Sequence, residues 1–340
     1  MNPIRVAIVG CGIGKEHADA YLKLPDQFQL AAICDFDQAK ARAFADAYHI
    51  PHVTAELESV CNMRDVDVVD ICTPSHLHFA HTQQVLRAGK HAICEKPVAA
   101  STTEVDELIQ LEAQSGVRVM PIFQYRFGHG LQKLKRLVES GVAGKAYLST
   151  VEVMWRRRAE YYAVPWRGKW KTELGGTLVT HAIHALDALL YILGGVKSVI
   201  AHATTRVNAI ETEDCAAVSF QMADGSLATL AATVGSAVEI TRHRFCFSNM
   251  VAESNTQPYG NTREPWTFTG DTPNASKQIE ESLSQFTPQP EWFEGQFALF
   301  YESINAPSEL PVTLADARSS LAVLRAIYES ARAQKIVEMP

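Results

Sequence analysis

The sequence predicts an α/β fold in two parts, an N-terminal doubly wound parallel sheet and a C-terminal α+β domain with a largely antiparallel, open-faced sheet. Over the first ~120 residues, short apolar runs rich in Val and Ile alternate with segments of helical periodicity. After that point, strand-like runs follow one another through tight turns. The length of 340 residues fits about two domains at ~150 residues each. We therefore expect one domain over residues 1–122 and a second over residues 123–340.

The apolar runs of the first domain have the length of strands. They cover residues 4–9, 30–34, 66–71, 92–94 and 117–122. Between them, apolar residues recur at helical spacing over residues 37–48, 76–88 and 102–115. Asp37 and Ser101 stand where helix N-caps belong, and two glycines, Gly89 and Gly116, stand where helices end. This alternation is typical of a parallel sheet with helices on both faces.

The second domain mixes strands and helices in a different order. Residues 131–139 predict a helix, and strands are expected at residues 145–155, 197–206, 216–222 and 227–234. The turn Ala223-Asp224-Gly225 joins the last two strands as a hairpin. Further helices are predicted at residues 177–193, 291–304 and 314–334, whereas the polar stretch 254–289 predicts long loops.

Charge and composition exclude several classes of protein. The 38 acidic and 31 basic side chains give a net charge of −7, which argues against nucleic-acid binding as the main function. No run approaches the ~18 apolar residues of a membrane span, and the N-terminus shows no signal-peptide core. The 7 cysteines are odd in number and lack Cys-x-x-Cys spacing, so we expect reduced thiols in a cytoplasmic protein.

A glycine turn follows the first predicted strand and opens a helix. Its residues are Gly10, Cys11, Gly12, Ile13 and Gly14, with the third glycine one residue earlier than in G-x-G-x-x-G. Such a turn lets the backbone approach a pyrophosphate at a helix N-terminus. Asp35 ends the second strand, where a carboxylate accepts hydrogen bonds from ribose hydroxyls and repels a 2′-phosphate. We expect Gly10, Gly12, Ile13, Gly14 and Asp35 to bind a dinucleotide, NAD rather than NADP.

Further motifs stand at the ends of predicted strands and along the second domain. They are Thr73-Pro74 with His78, Glu95-Lys96-Pro97, Tyr125-Arg126-Phe127, Trp166-Arg167-Gly168, and Gly175-Gly176 with His184 and Asp187. In these motifs, and in the glycine turn, the chain resembles the glucose–fructose oxidoreductase / inositol dehydrogenase (Gfo/Idh/MocA) family over nearly its whole length.

The resemblance implies a nicotinamide-dependent oxidoreductase that acts on a hydroxyl of a sugar, sugar acid or polyol. Family members place the lysine of Glu-Lys-Pro beside the nicotinamide and the substrate hydroxyl, often before a cis proline peptide, and Lys96 matches it. A cation at that point stabilises the alkoxide charge that develops as hydride leaves. The cofactor is expected to contact a further set of residues around this lysine: Thr73, Pro74, His78, Glu95 and Lys96 itself.

His184 matches the catalytic histidine of the family, and its ordinary pKa near ~6.5 suits a general base. Many members carry an aspartate four residues earlier, where this chain has Thr180. A threonine can hydrogen-bond to the substrate or to imidazole, but it lends no negative charge. His181 can serve as a substrate partner, Asp187 can orient the imidazole, or Lys96 can itself accept the proton if burial lowers its pKa. Whether His184 or Lys96 is the base stays open.

A basic and aromatic segment is expected near the substrate. Residues 151–171 hold six basic and two acidic side chains among several Trp and Tyr residues. Aromatic faces stack on sugar rings, and arginines bind hydroxyls or carboxylates. For Arg156–Arg158, a solvated edge strand fits slightly better. The predicted substrate residues are Tyr125, Arg126, Trp166, Arg167, Thr180 and His181. No metal is predicted, because His181 and Asp187 are turned apart on their helix and no fourth ligand is evident.

Other functions of the same fold remain open at this stage. They are a glycosidase that recycles its NAD, an oxidoreductase that holds NADP tightly, and a non-catalytic regulator that senses NAD(P). The expected partner is a small carbohydrate or polyol, with no nucleic acid and no membrane. Apolar side chains on both faces of the second sheet predict a homodimer or homotetramer that forms through that sheet.

Overall fold

The computed structural model describes residues 3–306 and 308–339, and the chain divides into two compact units. Unit 1 contains residues 1–122 and 293–318, and unit 2 contains residues 123–292 and 319–340. The sequence analysis placed everything after residue 122 in the second domain, so the assignment of residues 293–318 differs. The reason is aromatic packing: the Phe297 ring stacks on Tyr21 with centroids 4.4 Å apart, and Phe300 is fully buried. A late helix thus completes the core of unit 1.

Strands and helices alternate in the N-terminal part of unit 1. The elements are β1 (Ile4–Val9), α1 (Gly14–Leu22), β2 (Phe28–Cys34), α2 (Gln38–Tyr48), β3 (His52–Thr54), α3 (Leu57–Asn62), β4 (Val68–Ile71), α4 (His78–Arg87), β5 (His91–Cys94), α5 (Thr102–Ser115) and β6 (Val119–Pro121). The short edge strand β3 and helix α3 were not predicted, because neither contains a long apolar run.

The six strands of unit 1 form one parallel sheet in the order β3-β2-β1-β4-β5-β6. The order reverses between β1 and β4, and ligands of such sheets bind outside the carboxyl ends of the strands. The predicted caps are confirmed, since Asp37 accepts a hydrogen bond from the Lys40 N–H and Ser101 accepts one from the Glu104 N–H. The predicted parallel α/β domain is therefore confirmed.

Unit 2 and the C-terminal helices contain the remaining elements. They are α6 (His129–Glu139), β7 (Ala146–Arg156), α7 (Ala159–Tyr162), α8 (Trp170–Glu173), α9 (Ile183–Leu193), β8 (Val196–Thr204), β9 (Cys215–Met222), β10 (Leu227–Thr233), β11 (Gly235–Phe247), β12 (Met250–Glu253), β13 (Thr267–Gly270), α10 (Pro273–Ser284), α11 (Trp292–Asn305), α12 (Leu314–Ala333) and β14 (Val337–Glu338).

The second sheet has eight strands in the order β13-β12-β11-β7-β10-β9-β8-β14. β7 and β10 pair in parallel, and the other neighbours are antiparallel, so the predicted largely antiparallel sheet is confirmed. The predicted loops at residues 254–289 were partly wrong, because this stretch contains β13 and α10. Thr272 caps α10 through the Ala275 N–H, and Pro273 follows at the first helical position, a start signal that the polar composition obscured.

One segment of the described chain, Trp170–Leu193, is long and apolar enough to cross a membrane by length and composition. It includes a π turn at Leu178–Ala182 followed by α9. Inside the structure, 83% of its most apolar window is buried. The apolar side chains therefore face protein, and the segment is a core helix of unit 2.

Candidate functional site

The glycine turn after β1 packs against the end of β4 and leaves its middle open. Gly10 has φ of +109°, and a Cβ there would lie 2.6 Å from the carbonyl oxygen of Cys72. A Cβ at Gly14 would lie 2.8 Å from the Ile8 side chain, so this glycine allows α1 to approach β1. At Gly12 a Cβ would meet nothing within 4 Å. The backbone at Gly12 is therefore open to a ligand, as a pyrophosphate-binding turn requires.

Asp35 lies at the end of β2, beside the same turn. Its Oδ2 accepts a hydrogen bond from the Cys11 N–H at 2.9 Å, and its Oδ1 accepts one from the Asp37 N–H at 2.9 Å. Because Asp37 caps α2 through Lys40, Asp35 is not needed as the helix cap. Ile13 is exposed within the turn. These residues are placed so that Asp35 can present its carboxylate to an adenosine ribose.

A buried histidine ties the loop after β4 to the loop after β5. The His78 Nδ1 lies 2.7 Å from the Pro97 carbonyl oxygen, and its Nε2 lies 2.7 Å from the Thr73 carbonyl oxygen. Burial lowers the pKa of His78. Thr73 and Pro74 are half-buried beside it. The structure thus shows His78 in contact with the backbone, and its contact with a cofactor stays a prediction.

Glu95, Lys96 and Pro97 follow β5 directly, at the edge of the sheet where ligands bind. Glu95 is buried, and its Oε2 accepts a hydrogen bond from the Lys96 backbone N–H at 3.1 Å. The Lys96 side chain is half-buried, and the Lys96–Pro97 peptide is cis, as the resemblance implied.

A buried charged cluster next to Glu95 was missed by the sequence analysis. The His17 Nδ1 lies 2.8 Å from Asp70 Oδ2, and its Nε2 lies 3.2 Å from Glu95 Oε1. The Tyr21 hydroxyl donates to Asp70 Oδ2 at 2.9 Å. Burial disfavours a charged ring, but the Asp70 carboxylate prevails and raises the pKa of His17 well above its ordinary value. The sequence did contain one indication of this cluster. Asp70 lies inside β4, a strand buried on both faces, and a buried aspartate needs a polar partner.

The same cluster contains donor atoms at metal-ligand spacing, in the part of the chain that the structure describes. One atom each of His17, Asp70 and Cys72 lie within 4.8 Å of one another. Hydrogen-bond contacts already join these atoms, since Cys72 Sγ lies 3.4 Å from His17 Nδ1 and 3.5 Å from Asp70 Oδ1. Burial raises the pKa of the Cys72 thiol, and the thiolate is the form that binds metal. We therefore assign this cluster to hydrogen bonding.

In unit 2, the π turn at Leu178–Ala182 carries two predicted site residues. The Thr180 hydroxyl donates to the Gly176 carbonyl oxygen at 2.8 Å, and its Oγ1 also lies 2.6 Å from His181 Nδ1. Because the hydroxyl has one proton, the threonine oxygen accepts from the imidazole in this arrangement. Thr180 thus orients His181, whereas the roles expected from the sequence, a hydrogen bond to the substrate or to the imidazole of His184, stay predictions. π turns recur at functional sites.

His184 lies in α9 and is buried among aromatic rings. Its ring stacks on Tyr125 with centroids 5.0 Å apart and an interplanar angle of 23°. Phe123 meets the same imidazole edge-on, with centroids 6.1 Å apart. The Tyr125 hydroxyl donates to the Pro258 carbonyl oxygen at 3.1 Å, which fixes the tyrosine ring. The stacked tyrosine therefore limits how far the His184 ring can turn.

Arg126 and Asp187 form a buried, bidentate ion pair. The Arg126 Nε and Nη2 each lie 2.7 Å from a carboxylate oxygen of Asp187. The Ser320 hydroxyl donates to the same carboxylate at 3.2 Å, and the Arg126 guanidinium lies 5.0 Å from the Tyr191 ring centroid. The sequence analysis gave Asp187 to His184 and Arg126 to the substrate. The structure brings Asp187 and Arg126 together, and both of these expected roles stay predictions.

Guanidinium groups and aromatic rings alternate at the end of β7 and in the segment that follows it. The Arg157 guanidinium carbon lies 5.0 Å from the Trp155 ring centroid and 5.3 Å from that of Tyr161. The Arg167 guanidinium carbon lies 3.9 Å from the Tyr161 centroid and 4.4 Å from that of Trp166. We call these five residues the cation–π ladder. It joins Trp166 and Arg167 to Trp155, Arg157 and Tyr161 through cation–π contacts.

Carboxylates outside residues 151–171 offset the positive charge of this ladder. Glu239 of β11 lies 2.8 Å from Arg157, and Glu173 lies 3.4 Å from Arg167. The local excess of positive charge in the sequence is therefore smaller in the fold. Trp155 and Tyr161 of the ladder also contact His181, with ring centroids 5.0 Å and 5.6 Å apart.

Glu213 is a second buried group that the sequence analysis missed. Its carboxylate accepts hydrogen bonds from the Gly176 and Leu178 N–H groups, each at 2.9 Å, and from the Tyr328 hydroxyl at 3.0 Å. Burial raises the pKa of Glu213 to about 7. The N–H groups at a helix start have no partner within the helix, so Glu213 caps the segment that carries Thr180. Gly176 is the residue that permits this contact, because a Cβ there would lie 1.8 Å from the Glu213 carbonyl oxygen.

Two family models match this chain. The model of the oxidoreductase family with an NAD-binding Rossmann fold matches residues 4–123. The model of the GFO/IDH/MocA C-terminal domain matches residues 131–248. The chain belongs to the Gfo/Idh/MocA family. This confirms the resemblance stated from the motifs and the NAD-binding character of the N-terminal domain.

Curated relatives within the Gfo/Idh/MocA family match over part of their length. The chain is 35% identical over 213 residues to D-glucoside 3-dehydrogenase of Escherichia coli (strain K12), covering 61% of this chain and 59% of the relative. It is 29% identical over 216 residues to scyllo-inositol 2-dehydrogenase (NADP(+)) IolW of Bacillus subtilis (strain 168), covering 63% and 58%. The matched region thus spans less than two thirds of either relative.

Solved structures of the Gfo/Idh/MocA fold match the whole chain. The WlbA dehydrogenase from Bordetella pertussis, in complex with NADH and UDP-GlcNAcA, has a TM-score of 0.88 at 27% identity and covers 99% of each chain. Levoglucosan dehydrogenase, in complex with NADH and L-sorbose, has a TM-score of 0.82 at 21% identity, covers 100% of each chain and shows the fold alone. The predicted fold is confirmed.

Proposed function

We propose that this Gfo/Idh/MocA chain is an NAD-dependent dehydrogenase that transfers a hydride between a hydroxyl-bearing carbon of a sugar, sugar acid or polyol and the nicotinamide. The observation that carries the proposal is Glu95-Lys96-Pro97 directly after β5 of the NAD-binding sheet. A half-buried lysine at the ligand edge of such a sheet is suited to interact with a substrate oxygen.

The proposed chemistry divides between two residues. Oxidation moves a hydride from carbon to the nicotinamide, and the hydroxyl proton moves to a base. The ammonium of Lys96 stabilises the developing alkoxide, and the His184 imidazole accepts the proton. The stacking of Tyr125 on His184 holds the imidazole in one orientation. In the second form of the proposal, neutral Lys96 accepts the proton itself.

The proposed substrate wall is the cation–π ladder together with His181. The half-buried rings of Tyr161 and Trp166 offer apolar surface for a pyranose, and the hydroxyl of Thr180 fixes His181 as a hydrogen-bond partner. Tyr125 and Arg126 complete the proposed set of substrate residues. The named activities of the curated relatives, on a D-glucoside and on scyllo-inositol, support a cyclic polyhydroxylated substrate.

A substrate panel tests the proposed function. Methyl D-glucosides, inositols and sugar acids are each offered with NAD⁺, and formation of NADH is followed by absorbance. Continuous NADH formation with at least one class supports the proposal. Tight NAD⁺ binding with no turnover of any class contradicts it and favours a regulator that only senses the cofactor.

The same assay separates the related enzymes. A glycosidase that recycles its cofactor releases the hydrolysed sugar without net NADH. An oxidoreductase that holds NADP tightly purifies with a stoichiometric nucleotide that dilution does not remove. Net NADH over many turnovers, from protein freed of nucleotide, is the result that the proposal requires.

We also propose that the chain forms a homodimer or homotetramer through the open face of the second sheet. Large apolar side chains are exposed on this face, among them Leu148 of β7, Ile200 of β8 and Leu227 of β10. Exposed apolar surface of this kind favours burial against a second copy. Light scattering after size exclusion tests this, and a monomer at micromolar concentration contradicts it.

A cytoplasmic location is proposed on the state of the cysteines. All 7 cysteines are free thiols, and most of them are buried. Free thiols persist in reducing compartments. Fractionation of cells that express the tagged chain tests the location, and recovery outside the cytoplasm contradicts it.

A further inference from the structure

We propose that His17 is a positioning residue for Lys96, because it holds the Glu95 carboxylate that in turn binds the Lys96 backbone. This inference rests on the proposed role of Lys96 in hydride transfer. It concerns a residue of α1 that belongs to none of the motifs through which the chain resembles its family.

Hydrogen bonds connect His17 to Lys96 through a single intervening side chain. His17 Nε2 lies 3.2 Å from Glu95 Oε1, and the other oxygen, Oε2, accepts the Lys96 N–H at 3.1 Å. The two oxygens of one carboxylate are therefore engaged on opposite sides. A change in the position of the Glu95 side chain has to displace the Lys96 backbone or break one of these bonds.

The two carboxylates next to His17 favour an imidazole that is protonated at both nitrogens. Both ring nitrogens of His17 face carboxylate oxygens, one of Asp70 and one of Glu95, and a carboxylate oxygen only accepts. A ring that is protonated at both nitrogens satisfies both carboxylates, whereas a neutral ring leaves one of these contacts without a proton. The cationic form is thus the form that fixes Glu95.

The surroundings of His17 keep the ring in one place. Phe293 and Phe297 of α11 contact it, with ring centroids 4.5 Å and 5.4 Å apart from the imidazole. Tyr21 donates to Asp70, and the Cys72 thiol lies 3.4 Å from His17 Nδ1. The groups that face the imidazole are therefore two carboxylates, one thiol and apolar rings, and no second cation is among these contacts in the described residues.

The experiment compares His17→Gln with Tyr21→Phe. Both variants lose one side-chain interaction with Asp70, but only His17→Gln loses the cation that binds Glu95. We expect His17→Gln to lower kcat about 10- to 100-fold, since small misplacement of a reacting group has effects of this size. The dissociation constant of NAD⁺ should change by less than about threefold. Tyr21→Phe should keep kcat within about threefold.

The pH profile adds a readout that a purely structural role does not move. Without the His17 cation, the negative charge of Glu95 next to Lys96 is less compensated, so the alkaline limb of kcat/KM should shift to higher pH by about one unit. Tyr21→Phe should leave the limb in place. The conservative Asp70→Asn variant keeps the shape of the cluster but removes the carboxylate that raises the pKa of His17. It should lower kcat less than His17→Gln does, and it serves if His17→Gln fails to fold.

Three outcomes are decisive. A folded His17→Gln protein with wild-type kcat and pH profile overturns the inference. Stoichiometric zinc that is lost in His17→Gln also overturns it, because the cluster is then a metal site. A Lys96→Ala variant in the same assay distinguishes failure of the proposed function from failure of the inference about His17. If Lys96→Ala remains fully active, the proposed function itself is wrong.

Discussion

Lys96 follows a strand of unit 1, whereas His184 lies inside a helix of unit 2. The charged side chains that support these two segments differ. The segment with Lys96 is held by a buried cluster in which His17 lies between the carboxylates of Asp70 and Glu95. One cation therefore serves two anions, and one of the anions binds the Lys96 backbone directly.

The helix with His184 is held by a balanced ion pair and by a cap. Asp187, in the same helix, is bound by Arg126 through two hydrogen bonds of 2.7 Å. Glu213 caps the start of the helical segment, and Tyr125 stacks on the imidazole. From this difference we expect that loss of charge at Lys96 or His17 changes the reaction rate. Loss of the Arg126–Asp187 pair or of the Glu213 carboxylate should mainly change the free energy of unfolding.

The largest effect is expected from Lys96→Ala, which tests the unit 1 half of this comparison. Loss of the ammonium should lower kcat by on the order of 10³-fold, because the alkoxide loses its electrostatic partner. The dissociation constant of NAD⁺, measured by calorimetry, should change by less than about threefold. Lys145→Ala, at an exposed position, is the matched control. A loss in kcat of less than about tenfold would contradict the proposed electrostatic role of Lys96.

The next effect is the loss of stability in Arg126→Ala, which tests the unit 2 half. Removal of the guanidinium takes two short charged hydrogen bonds from the fully buried Asp187 carboxylate, and this should cost about 3 kcal/mol or more in urea unfolding. The control is Arg318→Ala, which breaks the exposed pair with Asp106 and should leave the free energy of unfolding close to that of the wild type. Equal losses in both variants would show that burial does not distinguish the pairs.

A smaller, pH-dependent effect is expected from Glu213→Gln. The pKa of Glu213 is raised from 4.5 to about 7, so between these values the folded state holds a proton that the unfolded state releases. The contribution of this group is therefore largest at low pH and is lost as pH rises through about 7. Relative to Glu213→Gln, the wild type should lose roughly 2 kcal/mol of unfolding free energy from pH 5 to pH 7.

The measurement is urea unfolding of both proteins at a series of pH values. A difference that stays constant with pH would mean that Glu213 is ionised throughout this range in the folded state. The cap would then resemble the ionised groups of unit 1, and the contrast between the two regions would be weaker.

The smallest effect is expected from Asp35→Ser, which tests cofactor binding in unit 1. Loss of the carboxylate should weaken NAD⁺ binding about tenfold and improve NADP⁺ binding relative to it, because the repulsion of a 2′-phosphate is removed. Asp37→Asn removes a neighbouring charge but keeps a good helix cap, so it should leave both affinities near wild type. Tighter binding of NADP⁺ than of NAD⁺ by the wild type would refute the proposed preference.

Local patterns in the sequence predicted much of unit 1. Apolar runs identified most of its strands, and the caps at Asp37 and Ser101 were placed correctly. The Glu-Lys-Pro motif depends on adjacent residues, so Lys96 was found without the structure. Strand β11 and helix α10 were missed, because charged and polar residues within them obscure the apolar periodicity.

The supporting side chains were missed for a different reason. His17 and Glu95 are 78 positions apart in the chain, and Arg126 and Asp187 are 61 apart. No periodicity links such positions. The sequence offered Asp187 as a possible partner of His184 because they are neighbours on one helix, but it gave no sign of the pair that Asp187 forms with an arginine from another segment.

The sequence by itself determined the α/β class, and it predicted the candidate site residues of the glycine turn, Asp35, Lys96 and His184. Backbone propensity, alternation and motif spacing are local properties, so they can be read along the chain. Only the tertiary structure decided that residues 293–318 complete the core of unit 1, that His17 lies between two carboxylates, and that Glu213 caps the helical segment before His184. These features depend on which distant surfaces pack together, because buried charges must find partners wherever the fold brings them.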